Sequence, residues 1–230
     1  MTDRNEMIVA TKETAVKHKK IPVITRYMGN IEANTDKLRE QILNGTWTPP
    51  PHKEVWITDG TNGKPRNIIK PRWDNEQIVH HMLMRQFEPI VMKRLYFYSA
   101  GSVKGKGLHF IAKSIMTWVR GYGKKRFYVA ELDIRKFYDN IDLEILKDKL
   151  SHTIHDKKYL DLLFKVIGDE KKGIPKGFYT SPLLSHFYLL DFDNYVVQDL
   201  HPDHYARYVD NMWLFSTKKR TLHKYVSLIN

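Results

Sequence analysis

The stretch YARYVDNMWLF (Tyr205 to Phe215) sets an acid and an amide, Asp210 and Asn211, between two runs of alternating bulky residues. The alternation predicts two short strands joined by a tight turn, with the polar pair at its tip. Asp and Asn are ordinary turn residues, so the pair alone requires no chemistry. A second acid changes that reading. Asp133 follows the apolar run FYVAEL (Phe127 to Leu132), where a core strand emerges with its backbone held by a sheet. Taken singly, Asp133 would serve equally well as a helix cap. Two acids on separate strands lie side by side if those strands pair, because neighbouring strands run only about 5 Å apart. That spacing suits two divalent metals about 4 Å apart, clamping an in-line phosphoryl displacement. Mg2+ fits such a site, taking few carboxylates, several waters and the substrate's own phosphates.

Three further segments carry groups suited to an anionic substrate. GKPRNIIKPR gathers Lys64, Arg66, Lys70 and Arg72 on one ribbon, and a forked guanidinium matches a triphosphate; a solvated basic hairpin would read the same. SVKGKG (Ser102 to Gly107) could bring backbone amides to a phosphate. In GIPKGFYTSPLLS, Gly173, Pro175 and Gly177 predict a rigid bend before a helix at Ser181. Lys176, Phe178 and Tyr179 are expected exposed together there, for a nucleotide or template. His80 and His81 are adjacent on a predicted helix, so at most one faces the core; packing and a hydrogen bond are expected rather than a metal. Trp56, Trp73, Trp118 and Trp213 read as core or seam residues, with Trp73 beside Arg72 able to touch nucleic acid.

The elements that must position these groups follow from periodicity and punctuation. Asn34 to Gly45 has a cap, helical spacing and a stopping Gly. EVWITDGTNGKPRNIIKP predicts a β-hairpin, and Asn75 to Leu95 a helix with Pro89 as a break or kink. Helices are expected from about Asp142, over YLDLLFKVI, from about Ser181 and at the C-terminal KKRTLHKYVSLIN. Strands, hairpins and helices mix without βαβ alternation, which is an α+β order. The first 29 residues read as a basic arm or partly helical extension.

Composition bounds the class. The 230 residues hold 38 Lys and Arg against 26 acids, a net charge of +12, which calls for an anionic partner such as nucleic acid. No apolar run approaches the roughly 20 residues of a membrane span, and the N-terminus has no apolar signal core. Absence of cysteine excludes a disulfide framework and thiolate metal sites. A cytoplasmic nucleic-acid binder is the expectation, with no membrane partner.

In order along the chain, these segments resemble the reverse transcriptases of prokaryotic retroelements, over roughly Pro49 to Phe215. GKPRNIIKP is similar to the family's fingers motif. NEQIVHHML resembles the following DRxVHHAL helix, with Glu76 in the acid's place and Gln77 in the place of Arg. YSAGSVKGKGLHFIAKSI is similar to the SY…RKGKGTHxA segment and looks closest to diversity-generating retroelement enzymes, within a diversity-generating retroelement or group II intron-like resemblance. AELDIRKFYDNID resembles the palm motif with the first catalytic Asp, GIPKGFYTSPLLSHFYL resembles GxPQGxxxSPxLxNxYL, and RYVDN stands in the place of the YxDD hairpin.

The resemblance implies an RNA-directed DNA polymerase with the right-hand architecture of fingers and palm around an antiparallel palm sheet. The expected divisions are a basic extension and helix over 1–45, fingers over 46–125 and palm over 126–230, with a fingers insertion around 142–172. The chain is expected to stop before the thumb, either as a truncated product or because a partner supplies the grip on the duplex. Asp133 and Asp210 would hold two Mg2+ or Mn2+ ions with help from the Ile134 carbonyl, and Asn211 would complete the catalytic set. Lys64 and Arg66 would bind the triphosphate. Tyr138 falls where the family keeps an aromatic gate against the ribose 2′-OH, and Gly177 would line the nascent base pair. Arg72 and Lys176 would contact template, Lys176 replacing the family's Gln. Implied partners are an RNA template, a DNA or RNA primer and dNTPs, in a prokaryotic or phage setting.

Asn211 in place of the second Asp removes one negative charge beside two dications. At about 4 Å and an effective dielectric of ~20, that is roughly 4 kcal/mol per ion pair as an upper figure. Two other readings are open: a degenerate polymerase fold that binds RNA without synthesis, and an antiphage polymerase of the abortive-infection type.

Overall fold

Alternation of apolar and polar residues produces two separate sheets. The computed structural model describes residues 2–16, 20–58, 63 and 65–230; the expected turn residues 59–62, and Lys64, lie outside the described residues. The described strands are β1 (Lys53–Thr58), β2 (Pro65–Lys70), β3 (Ser99–Ala100), β4 (Tyr128–Asp133), β5 (His204–Tyr208) and β6 (Asn211–Ser216). β1 and β2 form an antiparallel pair of their own, and the other four make one sheet in the order β3-β5-β6-β4. The chain divides into two compact units: Met1–Ile90 with Tyr138–Ser181, and Val91–Phe137 with Pro182–Asn230.

In the second unit, β4–β6 and β5–β6 are antiparallel, as expected, while the two-residue β3 joins β5 in parallel. The sheet is covered on both faces, and the period of two decides which side chain goes where. Tyr205, Met212 and Leu214 share one face with Leu222 of the helix Lys219–Ile229. Ala206 and Phe215 share the other with Ile111 and Trp118 of the helix Leu108–Tyr122. On β4, Tyr128, Ala130 and Leu132 are half-buried, whereas Val129, Glu131 and Asp133 are exposed. One end of the second face is thus left open at Asp133.

The first unit holds the helices Arg4–Ala15, Pro22–Gly29 and Ile31–Leu43; the N-terminal extension is therefore helical throughout most of its described length. A π-helical turn, Trp73–Gln77, leads into the helix Ile78–Arg94, which runs on through Pro89 rather than ending there. Its buried face carries Ile78, Leu83 and Phe87, and the Leu83 carbonyl accepts a 2.7 Å bond from the Tyr159 hydroxyl of the helix Lys157–Ile167. Asp142 caps the helix Leu143–Thr153 by accepting from the Glu144 and Ile145 amides, as its position in the sequence predicts. Trp47 is the buried tryptophan of this unit at 2% exposure, while Trp56 stands out at 69%, which corrects its expected place in a core or seam. Trp56 lies on a two-stranded ribbon whose β1 is exposed along its length. Among the described residues, no helix is long and apolar enough to cross a membrane.

Candidate active site

β6 begins at Asn211, so the turn from β5 contains only Val209 and Asp210. The sequence placed Asn211 at the tip; the structure makes it the first residue of the strand. Its cross-strand partner on β4 is Asp133, and on β5 it is Tyr208. Directly paired residues in an antiparallel sheet point to the same face, so Asp133, Asn211 and Tyr208 form one row across three strands. The Ile134 amide donates to the Asp210 carbonyl at 3.3 Å, joining the turn to the end of β4. Asp133 is exposed and Asp210 half-buried. A carboxylate, an amide oxygen and a second carboxylate at an open sheet end are hard oxygen donors, the kind Mg2+ takes. Among the described residues, no group of three or more His, Cys, Asp or Glu could hold a metal, so an ion here would draw its remaining ligands from water and substrate.

The turn is supported from beneath by a buried network that sequence reasoning missed. Val209 has φ +57, an outlying conformation for a β-branched residue. Its amide donates to the Ala100 carbonyl at 3.0 Å, and its carbonyl accepts from Arg207 Nη1 at 2.8 Å. Gly101, at φ +95, leaves room for the valine: a Cβ there would lie 2.5 Å from Val209 Cγ2. Arg207 is fully buried and forks onto Asp193, with Nε to Oδ1 at 2.8 Å and Nη2 to Oδ2 at 2.6 Å. Ser99 and Tyr205 hydroxyls donate to the same carboxylate at 2.7 and 2.8 Å. Burial disfavours the Arg207 charge, and the bonds it donates to Asp193 more than restore it. Removing one partner of such a pair strands the other and costs about 3–5 kcal/mol. His186 Nε2 lies 2.7 Å from the Gly101 carbonyl and Nδ1 3.4 Å from Arg207 Nη1. This is a neutral imidazole donating from Nε2, and burial, then the Arg207 charge, pushes its pKa down to about 4. The sequence signal was present: Arg207 falls at a core-facing position of its strand, where a charge needs a partner.

Within the first unit, the loop read as GIPKGFYTS gathers most of the other expected residues. The Ile69 amide of β2 donates to the Lys176 carbonyl at 2.7 Å, and a Cβ on Gly177, at φ +103, would lie 2.5 Å from the Ile69 oxygen. Only glycine allows that approach. Ile174 N–H donates to the Tyr138 carbonyl at 2.9 Å, so Tyr138, Lys176, Gly177 and β2 are tied together. Arg66 sits on β2 opposite Ile57, exposed. Lys176 Nζ donates to Asp139 Oδ2 at 2.7 Å, and Arg72 forks onto Asp74. Phe178 is 3% exposed, against the expectation that it stands out with Lys176 and Tyr179. Its ring lies 5.0 Å from His52 and 4.7 Å from His80, because the Gly177 contact turns the chain inward. Tyr179 is half-exposed and stacks on His81 at 3.7 Å. Glu76 is buried, with Oε1 2.7 Å from His52 Nε2 and 3.6 Å from His80 Nε2. His80 packs in the core as expected but, among the described residues, has no hydrogen bond on either nitrogen. A cleft of about 1190 Å3 opens in this unit, lined by Lys53, Lys70, Arg72, Trp73 and Gly177 among apolar side chains.

The sheet carries one acid in its two-residue turn and another at the end of β4. The chain belongs to the reverse transcriptase (RNA-dependent DNA polymerase) family, whose model matches residues 62–230. It is 27% identical over 170 residues to protein YkfC of Escherichia coli, covering 69% of this chain and 44% of that one. The group II intron-encoded protein LtrA of Lactococcus lactis is 27% identical over 183 residues, covering 74% of this chain and 29% of LtrA. The chain thus spans less than half the length of these relatives. A telomerase structure from Candida tropicalis superposes with a TM-score of 0.56 at 13% identity, over 76% of this chain and 45% of that one. This likeness shows the polymerase fold.

Proposed function

We propose that the chain is the fingers and palm of an RNA-directed DNA polymerase that adds deoxynucleotides to a primer. The observation that carries this reading is the register of β4 and β6, which sets Asp133 beside Asn211 and ties Ile134 to Asp210. The names fingers for the first unit's hairpin and loop, and palm for the second unit's sheet, belong to the same proposal.

Asp133 and Asp210 would hold Mg2+ or Mn2+, with the Ile134 carbonyl assisting. The bound ions supply Lewis-acid stabilisation of the attacking and leaving oxygens. Asn211 offers its amide oxygen next to Asp133 without a charge, so it orients rather than neutralises. Arg66, with Lys64, takes the triphosphate, for which a guanidinium fork is suited. Tyr138, its carbonyl accepting from the Ile174 amide, is held to exclude a ribose 2′-OH. Gly177 presents bare backbone beside β2, where a base pair can approach. Arg72 and Gly177 line one cleft whose cations and apolar walls suit single-stranded nucleic acid. Lys176 would exchange its Asp139 carboxylate for a template phosphate.

The test is substrate choice. A primer annealed to RNA is offered dNTPs or rNTPs, with wild type and Tyr138→Ala. Incorporation of dNTPs that extends to rNTPs in Tyr138→Ala supports the reading. RNA binding with no incorporation by either protein leaves an RNA-binding polymerase relative, the reading that Asn211 favours.

A further inference from the structure

Val209 presents an energetic problem that the rest of the turn must solve. A β-branched residue at φ +57 is strained and persists only where its surroundings over-determine it. Three contacts do so: the Ala100 carbonyl on its amide, Arg207 Nη1 on its carbonyl and the missing Cβ of Gly101 beneath its methyl group. Of the three, only Arg207 reaches the peptide that leads into Asp210. Its other two guanidinium nitrogens are spent on Asp193, which is itself saturated by Ser99 and Tyr205. The guanidinium therefore cannot swing away without breaking a buried bidentate pair. It acts as a rigid clamp between Asp193, on the short helix Leu190–Tyr195, and the turn.

We infer that Arg207 is a positioning residue: pinned by Asp193, it holds the Val209 carbonyl and so fixes the strained turn that sets Asp210 against the end of β4. The consequence for catalysis rests on the polymerase reading; the clamp itself does not. The link to β4 is the Ile134 amide on the Asp210 carbonyl, one residue beyond Asp133. Lysine cannot replace arginine here, since one ammonium has no planar fork to satisfy both carboxylate oxygens and the Val209 carbonyl. Glycine in place of Val209 removes the need for a clamp, because it takes positive φ without a steric cost.

The inference is tested by amide hydrogen exchange on the full chain as wild type, Arg207→Lys, Val209→Gly and the double variant. Arg207→Lys is expected to speed exchange at the Ile134 amide at least tenfold while Ala130 and Leu214, in the middle of the ladder, change less than twofold. In the Val209→Gly background the same substitution is expected to change Ile134 less than twofold. Equal acceleration in both backgrounds, uniform acceleration along the ladder, or none at all would overturn the inference. Should Arg207→Lys alone not fold, the double variant is expected to fold; its failure as well would make Arg207 a charge partner of Asp193 and nothing more. Primer extension by the same four proteins reads the polymerase question separately. A tenfold lower kcat with unchanged KM for dNTP in Arg207→Lys, recovered in the double variant, joins the clamp to catalysis. No extension by any of them counts against the polymerase reading and leaves the exchange result standing.

Discussion

Asn211 is the direct cross-strand partner of Asp133, the two side chains sharing one face at the open end of the sheet. A carboxylate at position 211 would put two like charges side by side, which destabilises a pair by about 0.2–1 kcal/mol. Asn211→Asp should therefore lower Tm slightly without metal and gain more than it loses when Mg2+ is added. A Mg2+ titration of Tm in both proteins checks this. A wild type that responds to Mg2+ as strongly as Asn211→Asp would refute the idea that the amide weakens metal binding.

Gly177→Ala should destabilise the first unit by more than about 1 kcal/mol, because it combines a positive φ with a collision against Ile69. Thermal or urea unfolding measures the loss. Gly45→Ala, at φ +69 with nothing near its Cβ, is the control: it carries the backbone strain alone and should cost less.

The Lys176–Asp139 pair is 40% and 48% exposed, so it contributes no more than about 0.2–1 kcal/mol. Its effect should appear in binding. Asp139→Asn should tighten RNA binding by freeing Lys176, and Lys176→Gln should weaken it and reduce the salt slope by about one. RNA affinity measured across a salt series separates these outcomes from a pair with no role.

Acid should destabilise the protein through its buried imidazoles. His186 is held down to about 4 from an ordinary 6.5, by burial first and then by Arg207. His81 is likewise lowered to about 4 by burial, then by His80. The unfolded chain binds more protons between these values, so stability is full above about pH 6.5 and falls as pH drops towards 4. The His186 shift is on the order of 3 kcal/mol as an upper figure, and solvent screening makes that of half-buried His81 smaller. Tm against pH should show this fall, and His186→Gln, which keeps a donor for Gly101, should flatten it.

Much of this was legible in the sequence because the period of two is unambiguous. The run ending at Asp133 and the alternation around RYVDN gave β4 and the β5–β6 pair, and hence the closeness of two acids. The shortness of the turn was not legible: a two-residue turn needs a positive φ at Val209, which sequence preference argues against, so Asn211 was placed one residue too far out. The burial of Phe178 depends on Gly177 meeting Ile69, a contact between segments more than a hundred residues apart. Arg207 announces itself by its core-facing place on β5, but its partner Asp193 looks like an ordinary surface charge until the helix Leu190–Tyr195 packs against the sheet. Long-range pairing, rather than local propensity, separates what was read from what was missed.

The most direct test of the account is primer extension on an RNA template with dNTPs and Mg2+ or Mn2+, comparing wild type, Asp133→Ala and Asn211→Asp. The account predicts extension by wild type, its loss in Asp133→Ala and a gain or lower metal demand in Asn211→Asp. Extension that persists in Asp133→Ala, or RNA binding with no extension by any of the three, would contradict it.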